Sequence, residues 1–315
     1  MPQTRGPGRI DIFDAESERR LAFGGGFGRI LTEVAPDFFI LGAQKCGTTA
    51  LYEVLRQHPG LFLSPVKEPR FFIGDGCRPF FQGPGAEDFL RGGVWESAAY
   101  AALFAGAPGG ALRGEASPVY LSAYQTRDTA KRIAAAAPDA RLIVLLRDPA
   151  ERAFSAFLHH RRLGLETLTD FEAALAAEDD RLARSWLPGW AYRRNGLYGE
   201  NLRPYLELFP RDHLRVVAHE TWSARPREVV RELFSFLGVD PDFIPVLGGR
   251  HNVSSVPRFA WLARWRRAPG WLARLNRCRP RLPDTRRVRL RETYREDGRL
   301  LRAGLGGQFS APWHE

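Results

Sequence analysis

Near the start of the chain, Gly42-Ala43-Gln44-Lys45-Cys46-Gly47-Thr48-Thr49 has the residue types and spacing of an anion cradle. The glycines let backbone N–H groups turn inward. A helix starting after them would aim its positive end at the same point, and the two threonine hydroxyls add donors. The glycines keep the spacing of the phosphate loop G-x-x-x-x-G-K-[ST], but Thr48 stands where that pattern has its lysine, and Lys45 lies inside the loop. Alone, the stretch also reads as an ordinary strand–helix turn. The second candidate is Arg147, directly after RLIVLL (141–146). A guanidinium at the end of a buried strand can clasp a phosphate in bidentate fashion. Ser155, about two helical turns on, can donate to the same group. The bland reading pairs Arg147 with Asp148 or Glu151.

The elements that must position these residues follow from pattern. FFILGA (38–43) is a short apolar run ending in the glycine loop, and a helix is predicted over about 48–57. Strand, glycine loop, helix is the opening unit of a nucleotide-binding α/β fold. RLIVLL suits a strand buried on both faces of a parallel sheet. Asp148-Pro149 opens a helix, as N-cap and first residue. ALRGE (111–115) and LRVVAHE (214–220) are further strands. Helices are predicted over 170–185, 197–208, 226–238 (closed by Gly238) and, at the end, about 285–301. Residues 74–95, rich in Gly, Pro and Phe, read as a surface excursion. Residues 1–34 read as a loosely ordered arm and 35–315 as a single domain.

Composition narrows the partners. The chain has 315 residues, 44% of them hydrophobic, with 46 basic against 36 acidic side chains and a formal charge of +10. This favours an anionic partner such as a nucleotide, an acidic sugar, nucleic acid or a membrane surface. There are only three lysines, Lys45, Lys67 and Lys131, and two of them fall in the segments that carry chemistry. The three cysteines, Cys46, Cys77 and Cys278, argue against a disulfide framework and fit a reducing cytosol, with a Cys77–Cys278 bridge left open. The first residues contain no apolar core of a signal peptide, and no apolar run reaches about 18 residues, so a cytoplasmic protein without a transmembrane helix is expected.

Taken together, the two anion segments resemble the paired signatures of sulfotransferases that bind 3'-phosphoadenosine 5'-phosphosulfate (PAPS). The branch most resembled holds bacterial sulfotransferases and the sulfotransferase domains that modify heparan sulfate. FFILGAQKCGTTALYEVLRQHP (38–59) resembles the 5'-phosphosulfate loop and VKEPRFF (66–72) the acidic segment after it. GEASPVYL (114–121) resembles the substrate-side loop and RLIVLLRDPAERAFSAF (141–157) the 3'-phosphate site. The resemblance spans roughly residues 37–313. It implies a P-loop-like α/β fold with a central, mostly parallel sheet flanked by helices. It implies a donor site of Gln44, Lys45, Cys46, Gly47, Thr48 and Thr49 for the 5'-phosphosulfate, with Arg147 and Ser155 on the 3'-phosphate. Tyr198 and Arg258 are weaker additions to that site. Glu68 would be the general base, Lys45 would stabilise the leaving group, and Lys67, Glu115 and Ser117 would face the substrate. The branch often carries a lysine after the glutamate of the substrate-side loop. Here that position is Ala116, and Lys67 is the candidate replacement. No metal is expected, because a sulfuryl group carries less charge than a phosphoryl group.

The acceptor, a hydroxyl or an amine, is not legible. Residues 158–195, with Trp186 and Trp190, are expected to shape its pocket. Their aromatics suit a sugar ring, a lipid or a phenol, and only the branch resembled favours a carbohydrate or glycoconjugate. A homodimer is left open. One rival is a P-loop kinase using Asp148 as its strand-end acid, against which the displaced lysine counts. The other is a non-catalytic binder of acidic polymer, driven by the arginine-rich tail from Arg250 with Trp261, Trp265 and Trp271; a helical cover over the site is preferred for that segment, and no specific nucleic acid is expected. His159 and His160 read as a solvated or substrate-facing basic surface rather than a metal site. Cys46 reads as a small filler rather than a reactive thiol.

Overall fold

The computed structural model describes residues 35–74, 76–122, 126–248, 256–257, 277–278, 280–306, 309 and 311–313. The expected N-terminal arm, Arg258 and most of the tail after Arg250 lie outside them. Five strands form one sheet in the order β2-β3-β1-β4-β5, all parallel. They are β1 (Phe38–Gly42), β2 (Leu61–Leu63), β3 (Leu112–Ala116), β4 (Arg141–Leu146) and β5 (Leu214–Ala218). Every residue of β1, and Leu142 to Leu146 of β4, is buried, as apolar strands covered on both faces should be. The fold is the α/β, P-loop-like arrangement that the sequence pattern implies.

Strand order places the site. The chain leaves β1 towards β2 and β3 on one side, and leaves β4 towards β5 on the other. Ligands of open parallel sheets bind where such neighbours part, beyond the carboxyl ends of the strands. Helix α1 (Thr48–Leu55) follows β1, and α2 (Ala86–Arg91), α3 (Ser97–Ala102) and α4 (Thr126–Ala136) precede β4. Helix α5 (Pro149–Arg162) follows β4, with α6 (Phe171–Ala176), α7 (Glu178–Ala183) and α8 (Tyr198–Leu208) before β5. Helices α9 (His219–Ala224), α10 (Pro226–Leu237), α11 (Asp284–Thr293) and α12 (Arg295–Gly304) complete the main elements. Asp148 caps α5 as its sequence suggests, Oδ1 accepting from the amides of Ala150 (2.9 Å) and Glu151 (3.2 Å). Gly238, at φ 74, closes α10.

Several elements differ from the pattern reading. Strand β2 and helices α3 and α4 were not predicted: β2 is three residues long, and α4 is an alanine-rich helix whose apolar stripe is narrow. The helix expected over 170–185 is broken at Ala177, and the final one at Tyr294, whose buried ring turns inward to donate to the Arg193 carbonyl (3.1 Å). Residues 74–95 do run over the surface, but they are anchored to the core. Phe81, Phe89 and Trp95 pack on the core, and Arg70 lies over the Phe89 ring at 4.2 Å. Cys77 is a free, exposed thiol, so the Cys77–Cys278 bridge does not form.

Close approach between β1 and β3 depends on a missing side chain. Phe38 pairs with Gly114 across the ladder, and any Cβ on Gly114 would overlap the fully buried Phe38 ring. Gly114→Ala is therefore expected to destabilise the chain by about 1–3 kcal/mol through overpacking. Thermal unfolding followed by circular dichroism should show a midpoint lowered by several degrees; an unchanged midpoint would mean the ring moves aside freely.

Candidate active site

At the carboxyl end of β1 the chain makes its glycine turn. Gly42 (φ 156) leaves no room for a side chain, since a Cβ there would lie 2.8 Å from the Leu121 Cβ. Lys45 (φ 70) and Gly47 (φ 95) are both left-handed, and the amide of Ala43 donates to the Leu145 carbonyl of β4 (2.7 Å). Gly47 caps α1, whose first-turn amides have no intrahelical acceptor and whose first turn contains no acidic residue. Thr48 and Thr49 open that helix. The turn thus presents N–H groups, two hydroxyls and an ammonium, with nothing negative built in.

Arg147 stands at the end of the neighbouring β4, 25% exposed, with a long contact to Glu151 (Nη2–Oε2, 3.5 Å). Ser155 is buried one face along α5. Both halves line one groove of about 1840 Å³, together with Gln44, Lys45, Gly47, Thr48, Thr49 and Glu68. Their charges feel one another. Burial, then the charges of Arg162 and Arg147, pull the Lys45 ammonium down to about 8, with Glu68 opposing them.

Glu68 sits on a loop pinned to the end of β3, its amide donating to the Ala116 carbonyl (3.0 Å). Its carboxylate, 31% exposed, is held by Lys67 Nζ (2.6 Å) and Arg70 Nη2 (3.3 Å). Burial raises its pKa, but the two cations outweigh that and leave it below the ordinary carboxylate value. Lys67 does not line the groove; its ammonium is occupied by Glu68 rather than replacing a lysine at Ala116.

Four other expectations shift. Glu115 and Ser117 are fully buried and cannot reach a substrate. Tyr100 donates to Glu115, Ser117 Oγ donates to its Oε1 (2.7 Å), and Ser117 Oγ accepts from the Arg70 amide (3.0 Å). Burial pushes Glu115 up to about 7, and this polar knot supports the 68–70 loop from below. Cys46 and Tyr198 lie beneath the turn rather than in the groove lining. Tyr198 Oη donates to the Arg147 carbonyl (2.9 Å) and lies 3.9 Å from Cys46 Sγ, so it ties one anion-binding wall to the other. Burial pushes the Cys46 thiol up to about 11, which disfavours the reactive thiolate.

Some groove residues were missed or misplaced by sequence reasoning. Both His159 and His160 line the groove, and His160 is buried against Trp190 rather than solvated. Arg287 pairs with Glu151 (2.9 Å), and Arg291 Nε with Asp148 Oδ2 (2.8 Å), bringing α11 over the start of α5. Only the doublet of histidines gave a local signal; the arginines of α11 look like any exposed charged helix. With both oxygens of Asp148 committed to the cap and to Arg291, the kinase reading lacks its free strand-end acid. Among the described residues no group of His, Cys, Asp and Glu is arranged to hold a metal ion, and no helix is long and apolar enough to cross a membrane.

An α/β sheet with a lysine-bearing glycine turn after one strand and an arginine after the next presents two separated cationic groups to one groove. Known proteins give that arrangement its chemistry. The family model of the sulfotransferase domain matches residues 35–245, and the chain belongs to the sulfotransferase family. It is a PAPS-dependent sulfotransferase. A sulfotransferase from Alicyclobacillus acidocaldarius superposes with a TM-score of 0.74 at 34% identity, over 89% of this chain and 99% of that one. Heparan sulfate glucosamine 3-O-sulfotransferase 6 of Homo sapiens is 30% identical over 282 residues, 87% of this chain and 73% of the relative. Heparan sulfate glucosamine 3-O-sulfotransferase 3B1 of Mus musculus is 29% identical over 204 residues, and there the chain spans only 46% of the relative's length.

The charge of Lys45 has a direct consequence. Its pKa in the free protein lies near 8, so the ammonium is present below that pH and lost above it. An anion bound beside it favours the charged form, so affinity for 3',5'-ADP should fall as pH rises from 7 to 9, by about tenfold per unit at most. Calorimetry across that range should show the fall, and Lys45→Arg should flatten it. An unchanged wild-type profile would place the ammonium away from the nucleotide.

Proposed function

We propose that the chain transfers the sulfuryl group of PAPS to a hydroxyl or amine of a carbohydrate or glycoconjugate. One observation carries the reading: Lys45 and Arg147, beyond the ends of adjacent strands, line a single groove, and the charge of Arg147 helps to lower the Lys45 ammonium. The residues fit PAPS. The glycine turn with Gln44, Lys45, Gly47, Thr48 and Thr49 would hold the 5'-phosphosulfate, and Arg147 with Ser155 the 3'-phosphate. A groove of about 1840 Å³ exceeds the roughly 300–1,000 Å³ that one small ligand fills, leaving room for a second substrate. The relatives named for heparan sulfate support a sugar acceptor.

PAPS supplies the sulfuryl group and leaves as 3',5'-ADP. Glu68, ionised at neutral pH, takes the acceptor proton at a carboxylate oxygen now held by Lys67 or Arg70. Lys45 meets the negative charge that develops on the leaving phosphate oxygen. Positioning and charge stabilisation carry the catalysis, as in phosphoryl transfer.

Calorimetry with 3',5'-ADP against ATP, followed by an acceptor screen with radiolabelled PAPS, tests the reading. Tight 3',5'-ADP binding and sulfated glycan are expected; preference for ATP would overturn it. Glu68→Gln should lower turnover by about 10²–10⁴ with 3',5'-ADP affinity little changed, and wild-type turnover would remove Glu68 from the chemistry. Arg147→Ala should weaken 3',5'-ADP roughly 10–100-fold while sparing 5'-AMP, as expected for a lost charge-assisted pair. Equal loss for both nucleotides would make Arg147 a structural residue.

A further inference from the structure

The His160 imidazole serves neither the phosphate contacts nor the Glu68 cluster, yet its surroundings are closely ordered. It is 7% exposed and packs on the Trp190 ring with centroids 4.4 Å apart. Its Nδ1 lies 2.9 Å from Tyr192 Oη, which lies 3.0 Å from Glu166 Oε2. Both Glu166 oxygens are clamped by Arg181, at 2.7 and 2.9 Å. A carboxylate so paired can only accept, so the single Tyr192 proton goes to Glu166. The Tyr192 oxygen must then accept from His160, which fixes the proton on Nδ1. Nε2 is left with a bare lone pair and no hydrogen bond to another described residue.

That nitrogen borders a notch in the groove wall. A Cβ built on Gly189 would lie 3.6 Å from His160 Nε2 and 3.4 Å from the Gln44 amide nitrogen, so the glycine holds open the space between them. Gln44 Oε1 is itself buried without a partner among the described residues. All three residues line the groove. Burial, then the charges of Lys45 and Arg181, pull His160 down to about 4, so the ring is neutral at physiological pH. Phosphate and sulfate oxygens offer no proton to a bare nitrogen or an amide oxygen. A hydroxyl or amine does.

We propose that His160, Gln44 and Gly189 form an acceptor subsite in which His160 Nε2 accepts a hydrogen bond from a sugar hydroxyl or amine adjoining the group that is sulfated. This rests on the sulfotransferase reading of the groove and adds a specificity-determining residue to it. The Glu166–Tyr192 pair is the positioning device, because it dictates which ring nitrogen carries the proton.

Two variants separate this role from a structural one. His160→Asn keeps a side-chain N–H at the Nδ1 position for Tyr192 and deletes Nε2. Gly189→Ala fills the notch with contacts of 3.4–3.7 Å, which folding tolerates. With radiolabelled PAPS and a heparosan oligosaccharide containing free glucosamine, both should raise the acceptor KM about tenfold, with kcat changed far less. Both should bind 3',5'-ADP like wild type. In ¹⁵N-histidine NMR of the full chain, with His160 assigned by its loss in His160→Asn, Nε2 should be unprotonated at pH 7; this reading needs no acceptor. A proton on Nε2, an unchanged acceptor KM in both variants, or an equal loss of 3',5'-ADP affinity would overturn the subsite. Failure of the wild type to bind 3',5'-ADP would instead strike the sulfotransferase reading beneath it.

Discussion

Lys45 and Arg147 repel each other, and the site consists of the means by which the fold keeps them together regardless. They follow the carboxyl ends of adjoining parallel strands, Lys45 in the turn after β1 and Arg147 directly after β4, and the β1–β4 ladder sets the spacing of the two strands. Beneath them Tyr198 joins the Arg147 carbonyl to the neighbourhood of the Cys46 thiol. With Arg162 also close, the free protein holds a cluster of like charge that an anion placed among them would relieve. Donors and charges fixed before the ligand arrives need no reorganisation when it binds, and that is where preorganised sites gain most.

The wall bearing Glu68 is built differently. There the charges are opposite and satisfied: a carboxylate between Lys67 and Arg70, over a buried knot of Tyr100, Glu115 and Ser117. Glu115 is costly to bury as an ion, and its raised pKa records that cost. Its value lies in orientation, since Ser117 passes the contact to the Arg70 amide and so to the left-handed backbone that aims Glu68.

The main strands, the α5 cap and the two anion segments were legible because they are local: an apolar run, a glycine spacing, an Asp-Pro pair. What escaped depended on residues far apart in the chain. GEAS reads as a loop that touches substrate, but its glutamate and serine turn inward, to each other, to Tyr100 15 residues away and to the Arg70 amide 47 residues away. The doublet of His159 and His160 reads as one basic patch, yet both line the groove and the second is buried and clasped by Tyr192 from 32 residues away. Lys67 looked like a spare cation because its partner is the next residue, and adjacency in sequence does not announce an ion pair.

The pairing of Arg287 with Glu151 and Arg291 with Asp148 reaches further than its two contacts. Asp148 completes the first turn of α5, yet its second oxygen is neutralised by a guanidinium 143 residues later. This end of the groove is therefore finished only when α11 has docked on α5. The sheet by itself is a cradle without its buckle, which α11 supplies from far along the chain.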